Sequence, residues 1–472
     1  MNINVYHTHI EVFPYEKGKY YELEKALSRW DQVSRKFGRY VPVAYAIKDD
    51  VLLLPKGTNI QMLENKFGCH ATMMPTPSRF DRMQNQYNIL YAPKDEVQEK
   101  AVSFLKSKTY CQYSLNLETS GGKTYCAINA FTSIGLKTLI IVNREQLSNH
   151  WAQEIKHFTN IPEDRIIQLN ADKIRRVLES EIEGDVYIVL HQTIQSYARL
   201  NSWDDIYEFM QVAGIGIKIY DEAHEFINST FVIDSHTDVF KTFYLSATFD
   251  RSDKKESKVF NLMLSSSYKF VDNIDEKDRK IHYIPILYYG GIPQQYIISM
   301  KTVKGFSSYR FIDMALEHDD TCSIIYAFRK AFQEALKHEG QILIVSPKKS
   351  TVEYFASMCE RIVGDTKTIG KIYSSNTKES NLENQSCDII SSTIKSCGTG
   401  FNPPNLQSLI CIEPHSSDLT THQLKGRLDR FKGDDTYFYD IIDMSIPYMS
   451  KMYDAHKTSL SRFYKDFNEV WL

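Results

Sequence analysis

Short runs of consecutive apolar residues alternate with amphipathic stretches of helical period through most of the chain. "TLIIV" (138–142), "VYIVL" (186–190), "IGIKIY" (215–220) and "TFYLSA" (242–247) form one group. "QILIVS" (341–346), "DIISS" (388–392), "LICIE" (409–413) and "YFYDIID" (437–443) form a second. Apolar, β-rich runs fit strands covered on both faces, and helical stretches between them imply parallel sheets. The long interval between the groups divides them into two α/β domains. Residues 1–85 read differently. "INVYHTHIEVF" alternates like a strand, "YYELEKALSRW" reads as a helix, "VAYAI" and "VLLLP" as strands, and "NIQMLENKF" as a second helix. That is a small α+β domain, followed by a linker-like "TPSRFDRMQNQYN".

Composition narrows the class without choosing a function. With 472 residues, 42% hydrophobic and 24% charged, the chain is that of a multidomain globular protein. A formal net charge of −3 leaves a local basic groove open. No apolar run approaches the roughly 18 residues of a membrane span, and the start of the chain lacks a signal-peptide pattern. The eight cysteines are scattered without a C-x-x-C pair, which points to a reducing, cytoplasmic setting rather than a zinc or disulfide framework.

Candidate chemistry begins at "LETSGGKT" (117–124). "YSLNLE" supplies a strand before it and "KTYCAINAFTSIG" a helix after it. Such a loop aims backbone N–H groups and a helix dipole at phosphate. Lys123 would neutralise β/γ-phosphate charge and Thr124 would ligate Mg²⁺. The first glycine of G-x-x-x-x-G-K-[ST] is replaced by Leu117. "IKIYDEAHEF" ends a strand in Asp221-Glu222-Ala223-His224. Asp221 could hold Mg²⁺ and Glu222 could orient and deprotonate an attacking water. "FYLSATFD" then places Ser246 and Thr248 at a third strand end, where hydroxyls can hydrogen-bond the loop containing His224.

This ordered set resembles the superfamily-2 helicases of the DEAH-containing kind. In that family's x-x-G-x-G-K-[ST] form, Ser120 stands at the earlier glycine, Gly121 and Gly122 complete the turn, and Leu117 is of little consequence. The resemblance implies two RecA-like parallel-sheet domains in tandem after the small α+β domain. ATP would bind in the cleft between the two. It assigns adenine recognition to Gln98 in "DEVQEKAVSFL". Asn143 and Arg144, and Gln192 and Thr193, become contacts to the nucleic-acid backbone. From residues alone, Asn143 serves equally as a helix cap. "THQLKGRLDRF" matches Q-x-x-G-R-x-x-R at Gln423, Gly426, Arg427 and Arg430. Those arginines would stabilise charge on the transferring phosphoryl group. "STIKSCGTGFNPPNL" supplies Thr393, Thr399 and Gly400, and "ILIVSPKKS" supplies Ser346 and Pro347.

More narrowly, the layout resembles the phage UvsW-type helicases that remodel branched DNA. It implies domains at 1–85 (nucleic-acid-binding), 86–275 (ATP-binding), 276–450, and a C-terminal helical tail at 451–472. The expected activity is an ATP- and Mg²⁺-dependent DNA helicase or translocase in replication, recombination or repair. It would act as a monomer on junctions, beside other recombination proteins, in the (host) cytoplasm. An RNA helicase and a translocase subunit of a restriction or defence complex are the alternatives, since the motor motifs do not separate nucleic acids.

Overall fold

The computed structural model describes the chain except residues 17, 19–20, 33–37, 43–44, 77–79, 110, 118–120, 247–261, 263–268, 272–278, 303–304, 318–323, 398–400, 402, 413–417, 430 and 462. Contacts divide the chain into two units, Met1–Asp272 and Asn273–Leu472. Among the described residues no helix is long and apolar enough to cross a membrane.

The first unit is built on a fully parallel seven-stranded sheet. Its order is Ile166–Gln168, Val186–Leu190, Thr138–Val142, Ile217–Tyr220, Lys241–Ser246, Gln112–Asn116 and Lys269–Val271. Side chains alternate across it as the period of two requires. Ile140, Val142, Ile188, Ile219 and Leu245 pack on one face with Ile128 and Phe131 of the helix Lys123–Ile134 and Trp151 and Ile155 of the helix Glu145–Phe158. Leu139, Ile141, Val189, Tyr220 and Tyr244 face the other side.

That other side carries the N-terminal residues. Their sheet runs Ala46–Lys48, Val51–Pro55, His9–Phe13, Asn2–Val5 and Ala71–Met73, antiparallel apart from the last pair. Ile3, Val5, Ile10, Leu52 and Leu54 share one buried cluster with the large sheet and with Phe231 of the helix Ile227–Ser235. The two sheets therefore share a core. A buried polar knot backs it. Asp234 accepts from Lys218 Nζ at 2.7 Å, from Tyr220 OH at 2.8 Å and from Tyr244 OH, and Gln112 Nε2 bridges Tyr244 OH (3.0 Å) to Thr8 O (3.3 Å).

Two N-terminal expectations need correction. "INVYHTHIEVF" is two strands with a turn closed by Tyr6 N–H donating to His9 O. The helix expected over 20–30 ends at Ala26, and Ser28–Gln32 pairs with Gly38–Pro42 in a hairpin. Cross-strand pairing overrides helical propensity there.

The second unit carries a parallel sheet ordered Ile369–Ile372, Ile389–Thr393, Gln341–Ser346, Leu406–Cys411, Thr436–Asp443, Ile281–Tyr288 and Tyr464–Phe467, with Val470–Trp471 also pairing Ile281–Tyr288. The helical tail expected at 451–472 is thus helical only to Leu460. Its last residues satisfy the backbone of an otherwise open sheet edge. They do so in two pieces because Pro285, which has no N–H to donate, falls between the segments paired at 281–283 and 286–287.

Candidate active site

Three neighbouring strands of the first sheet, Gln112–Asn116, Lys241–Ser246 and Ile217–Tyr220, run parallel and end at one edge. After the first comes the glycine turn. Gly122 caps the helix Lys123–Ile134 with φ +81°, a left-handed conformation that side chains disfavour. A Cβ at Gly122 would lie 2.1 Å from Gln98 Nε2. Gln98 is buried and fixed from both ends: its Oε1 accepts from Lys94 N at 3.0 Å and its Nε2 donates to Gly121 O at 3.3 Å. In this structure its amide holds the loop. Lys123 Nζ donates to Leu117 O at 3.0 Å. Leu117, read from sequence as a lost glycine of little consequence, is buried and anchors the lysine through its carbonyl. Thr124 sits half-buried in the first helical turn, and Ser120 lies outside the described residues.

The second loop follows Tyr220. Asp221 Oδ2 accepts from Trp151 Nε1 at 2.8 Å and Oδ1 from Glu222 N at 3.0 Å. Burial, followed by repulsion from Glu222, pushes the Asp221 carboxyl up to about 6, against the opposing pull of Trp151 and Lys123. Glu222 takes φ +49°, unusual for a residue with a side chain, as happens where neighbours over-determine a functional turn. Ala223 N donates to Leu245 O at 3.0 Å, and buried His224 Nδ1 hydrogen-bonds Ser246 Oγ at 2.6 Å. The third strand is thereby tied to the carboxylate loop. Thr248 lies outside the described residues. The edge gathers an ammonium, two adjacent carboxylates and a helix N-terminus, a set suited to phosphate and divalent-cation chemistry.

Other candidate residues are distributed unevenly. Asn143 and Arg144 follow the strand Thr138–Val142 at the same edge. Asn143 does not cap the next helix; the capping position is Arg144, with no side-chain cap bond. Asn143 Nδ2 donates to Glu225, and Arg144 Nη2 lies 3.9 Å from Glu225 Oε2. Glu225 and Trp151 were not singled out from sequence; only the adjacency of Glu225 to the DEAH run hinted at it. Gln192 is exposed and Thr193 half-buried on the helix His191–Leu200.

In the second unit Ser346 and Pro347 are buried, with Thr351 Oγ1 donating to Ser346 Oγ at 3.1 Å, and the exposed residues there are Lys349 and Ser350. Thr393 Oγ1 bonds Ser396 Oγ at 2.9 Å. Arg427 is buried and donates from Nη1 to Phe401 O at 2.8 Å. Gln423 lies on the helix Asp418–Leu428. Thr399, Gly400 and Arg430 fall outside the described residues.

Residues 85–251 match a family model described as "Type III restriction enzyme, res subunit", one of helicase-type nucleic-acid-dependent ATPases. No curated protein sequence matches the chain. Among solved structures it is similar to T4 UvsW, at 16% identity over 100% of both chains with a TM-score of 0.39. It is also similar to S. cerevisiae Dbp5, described as bound to RNA and ADP BeF3, at 11% identity over 80% of this chain and 89% of that one, TM-score 0.51. The fold is that of two RecA-like parallel-sheet domains in tandem with a small α+β layer at the N-terminus. The chain resembles superfamily-2 helicases.

Proposed function

We propose that this protein is a nucleic-acid-stimulated ATPase that works as a DNA helicase or translocase on branched DNA. The observation that carries the ATPase part of this reading is the meeting of Lys123, Asp221 and Glu222 at one sheet edge, with His224 bonded to Ser246 behind them, and the choice of branched DNA is left to the test below. Lys123 and the N–H groups after Gly122 bind phosphate. Glu222 orients the attacking water and accepts its proton. By the resemblance of the Q-x-x-G-R-x-x-R run, Arg427 and Arg430 would offset charge that develops on the phosphoryl group.

The donor set fits a hard divalent cation. Two carboxylates crowd a buried edge, where added positive charge relieves their repulsion. Asp221 and Thr124 are the residues that would hold Mg²⁺, a cation that keeps few protein ligands beside water and substrate. It would supply charge neutralisation of the phosphates.

The test is ATP turnover and strand separation on matched single-stranded DNA and RNA, linear duplex, forks and four-way junctions. Strongest stimulation and remodelling on branched DNA is expected. Equal or greater response to RNA would replace the reading with an RNA helicase. Duplex translocation without strand separation would favour a restriction-type translocase, the second reading that the matched family description supports.

A further inference from the structure

Glu225 closes the DEAH loop, and nothing in the chemistry above uses it. Its carboxylate is mostly buried, with side-chain exposure of 15%. It shares the turn with Glu222, Glu225 N donating to Glu222 O at 2.8 Å. A third carboxylate packed behind Asp221 and Glu222 is electrostatically unfavourable, and burial raises its pKa. Among the described residues a donor pair holds it there: Asn143 Nδ2 bonds it, and Arg144 Nη2 stands 3.9 Å away. Arg144 is nevertheless 47% exposed, so its guanidinium has an open side. Farther along the helix that begins after Arg144, Trp151 donates to Asp221. Segment 143–151 therefore grips the carboxylate loop at two points.

We propose that Glu225 is a positioning residue that occupies the Asn143/Arg144 donors as an internal stand-in for a backbone phosphate, and that a nucleic-acid phosphate displaces it. Both anions present oxygen acceptors to the same amide and guanidinium, and guanidinium binds phosphate at least as readily as carboxylate. Release of Glu225 frees the main-chain turn it shares with Glu222. Strand binding is thus coupled to the carboxylate that orients the attacking water. The inference rests on the ATPase reading above.

The experiment compares the full chain with Glu225→Gln and Glu225→Ala, each with and without Arg144→Ala, by ATP turnover against single-stranded DNA and RNA concentration. Loss of the competing charge should lower the half-stimulating concentration by about two- to fivefold, the range of a partly exposed ion pair. It should also raise turnover without nucleic acid, so that the stimulation factor shrinks. Arg144→Ala should erase the gain in affinity in both backgrounds. A thermal melt confirms that each variant is folded, and if Glu225→Ala is not, Glu225→Gln carries the comparison. A merely structural Glu225 would lower turnover without moving the half-stimulating concentration. Wild-type stimulation with unchanged stimulation and affinity in the folded variants would overturn the inference alone. Absence of stimulation of the wild type by any nucleic acid would overturn the ATPase reading instead.

Discussion

Gly122→Ala tests the loop at its tightest point. The new Cβ meets two obstacles. It must adopt φ near +81°, which costs a residue with a side chain about 1–2 kcal/mol. It would also lie 2.1 Å from Gln98 Nε2, so the Gln98 side chain must leave. That side chain is buried and holds two bonds, to Lys94 N and Gly121 O, each worth about 1 kcal/mol. The sum is about 3–4 kcal/mol against the phosphate-binding shape of the loop. At 1.4 kcal/mol per decade, ATP affinity should fall by about 100- to 700-fold. Titration with a fluorescent ATP analogue reads this directly, and kcat/KM should follow. Gln98→Ala removes the obstacle but also the two bonds. The double variant should then lose less than the two singles together, by about 2 kcal/mol, the two bonds that each single loses. Nucleotide affinity within twofold of wild type in Gly122→Ala, or strictly additive losses, would refute the picture of a glycine kept bare for Gln98.

Glu222→Gln should retain nucleotide binding and lose turnover, since the amide keeps the shape but cannot take a proton; collapse of affinity would make Glu222 structural. Arg430→Ala should lower kcat far more than ATP affinity, as for a group engaged in the transition state, and a pure affinity defect would contradict that role. Lys218→Met strands the buried Asp234 carboxylate and should destabilise the first unit by about 3–5 kcal/mol in denaturant unfolding, with Asp234→Asn in the same chain restoring part of it. Burial pushes His191 down to about 4, so an unfolded chain takes up a proton below about pH 6.5 that folded His191 refuses. Its contribution is therefore complete above pH 6.5 and fades as pH falls to 4, by about 3 kcal/mol, a slope that His191→Gln should remove from unfolding curves taken across that range.

Much of the frame was legible because buried parallel strands write themselves as uninterrupted apolar runs. The central strands at 138–142, 186–190, 217–220 and 241–246 are of this kind. The strands that escaped notice lack that signature. Ile166–Gln168 and Lys269–Val271 are three-residue edge strands, and Ile281–Tyr288 is interrupted by Pro285. The shared core of the two N-terminal sheets was hidden for another reason. Alternation shows that Ile3, Val5 and Ile10 face inward but not what they meet.

In the site, local elements were readable: the glycine turn, the DEAH loop and the Ser246 strand end. Contacts between distant segments were not. Gln98 on Gly121, Leu117 O on Lys123, Trp151 on Asp221 and Glu225 on Asn143 depend on which strands end side by side.

The order of strands in the second sheet sets a hazard during synthesis. Ile281–Tyr288 is made first, yet the strand that covers one side of it is Thr436–Asp443 and the other side waits for Tyr464–Phe467 and Val470–Trp471. Roughly 150 residues separate it from the first of these partners. At about 5–20 residues per second, an eight-residue, largely apolar strand stands unpaired for about 7–30 s on every new chain. Such a run is adhesive towards its own kind, and Pro285 in its middle is the sort of residue that blunts this. Premature termination anywhere before residue 464 would make the exposure permanent. Shortened products of this chain should therefore be recovered in aggregates.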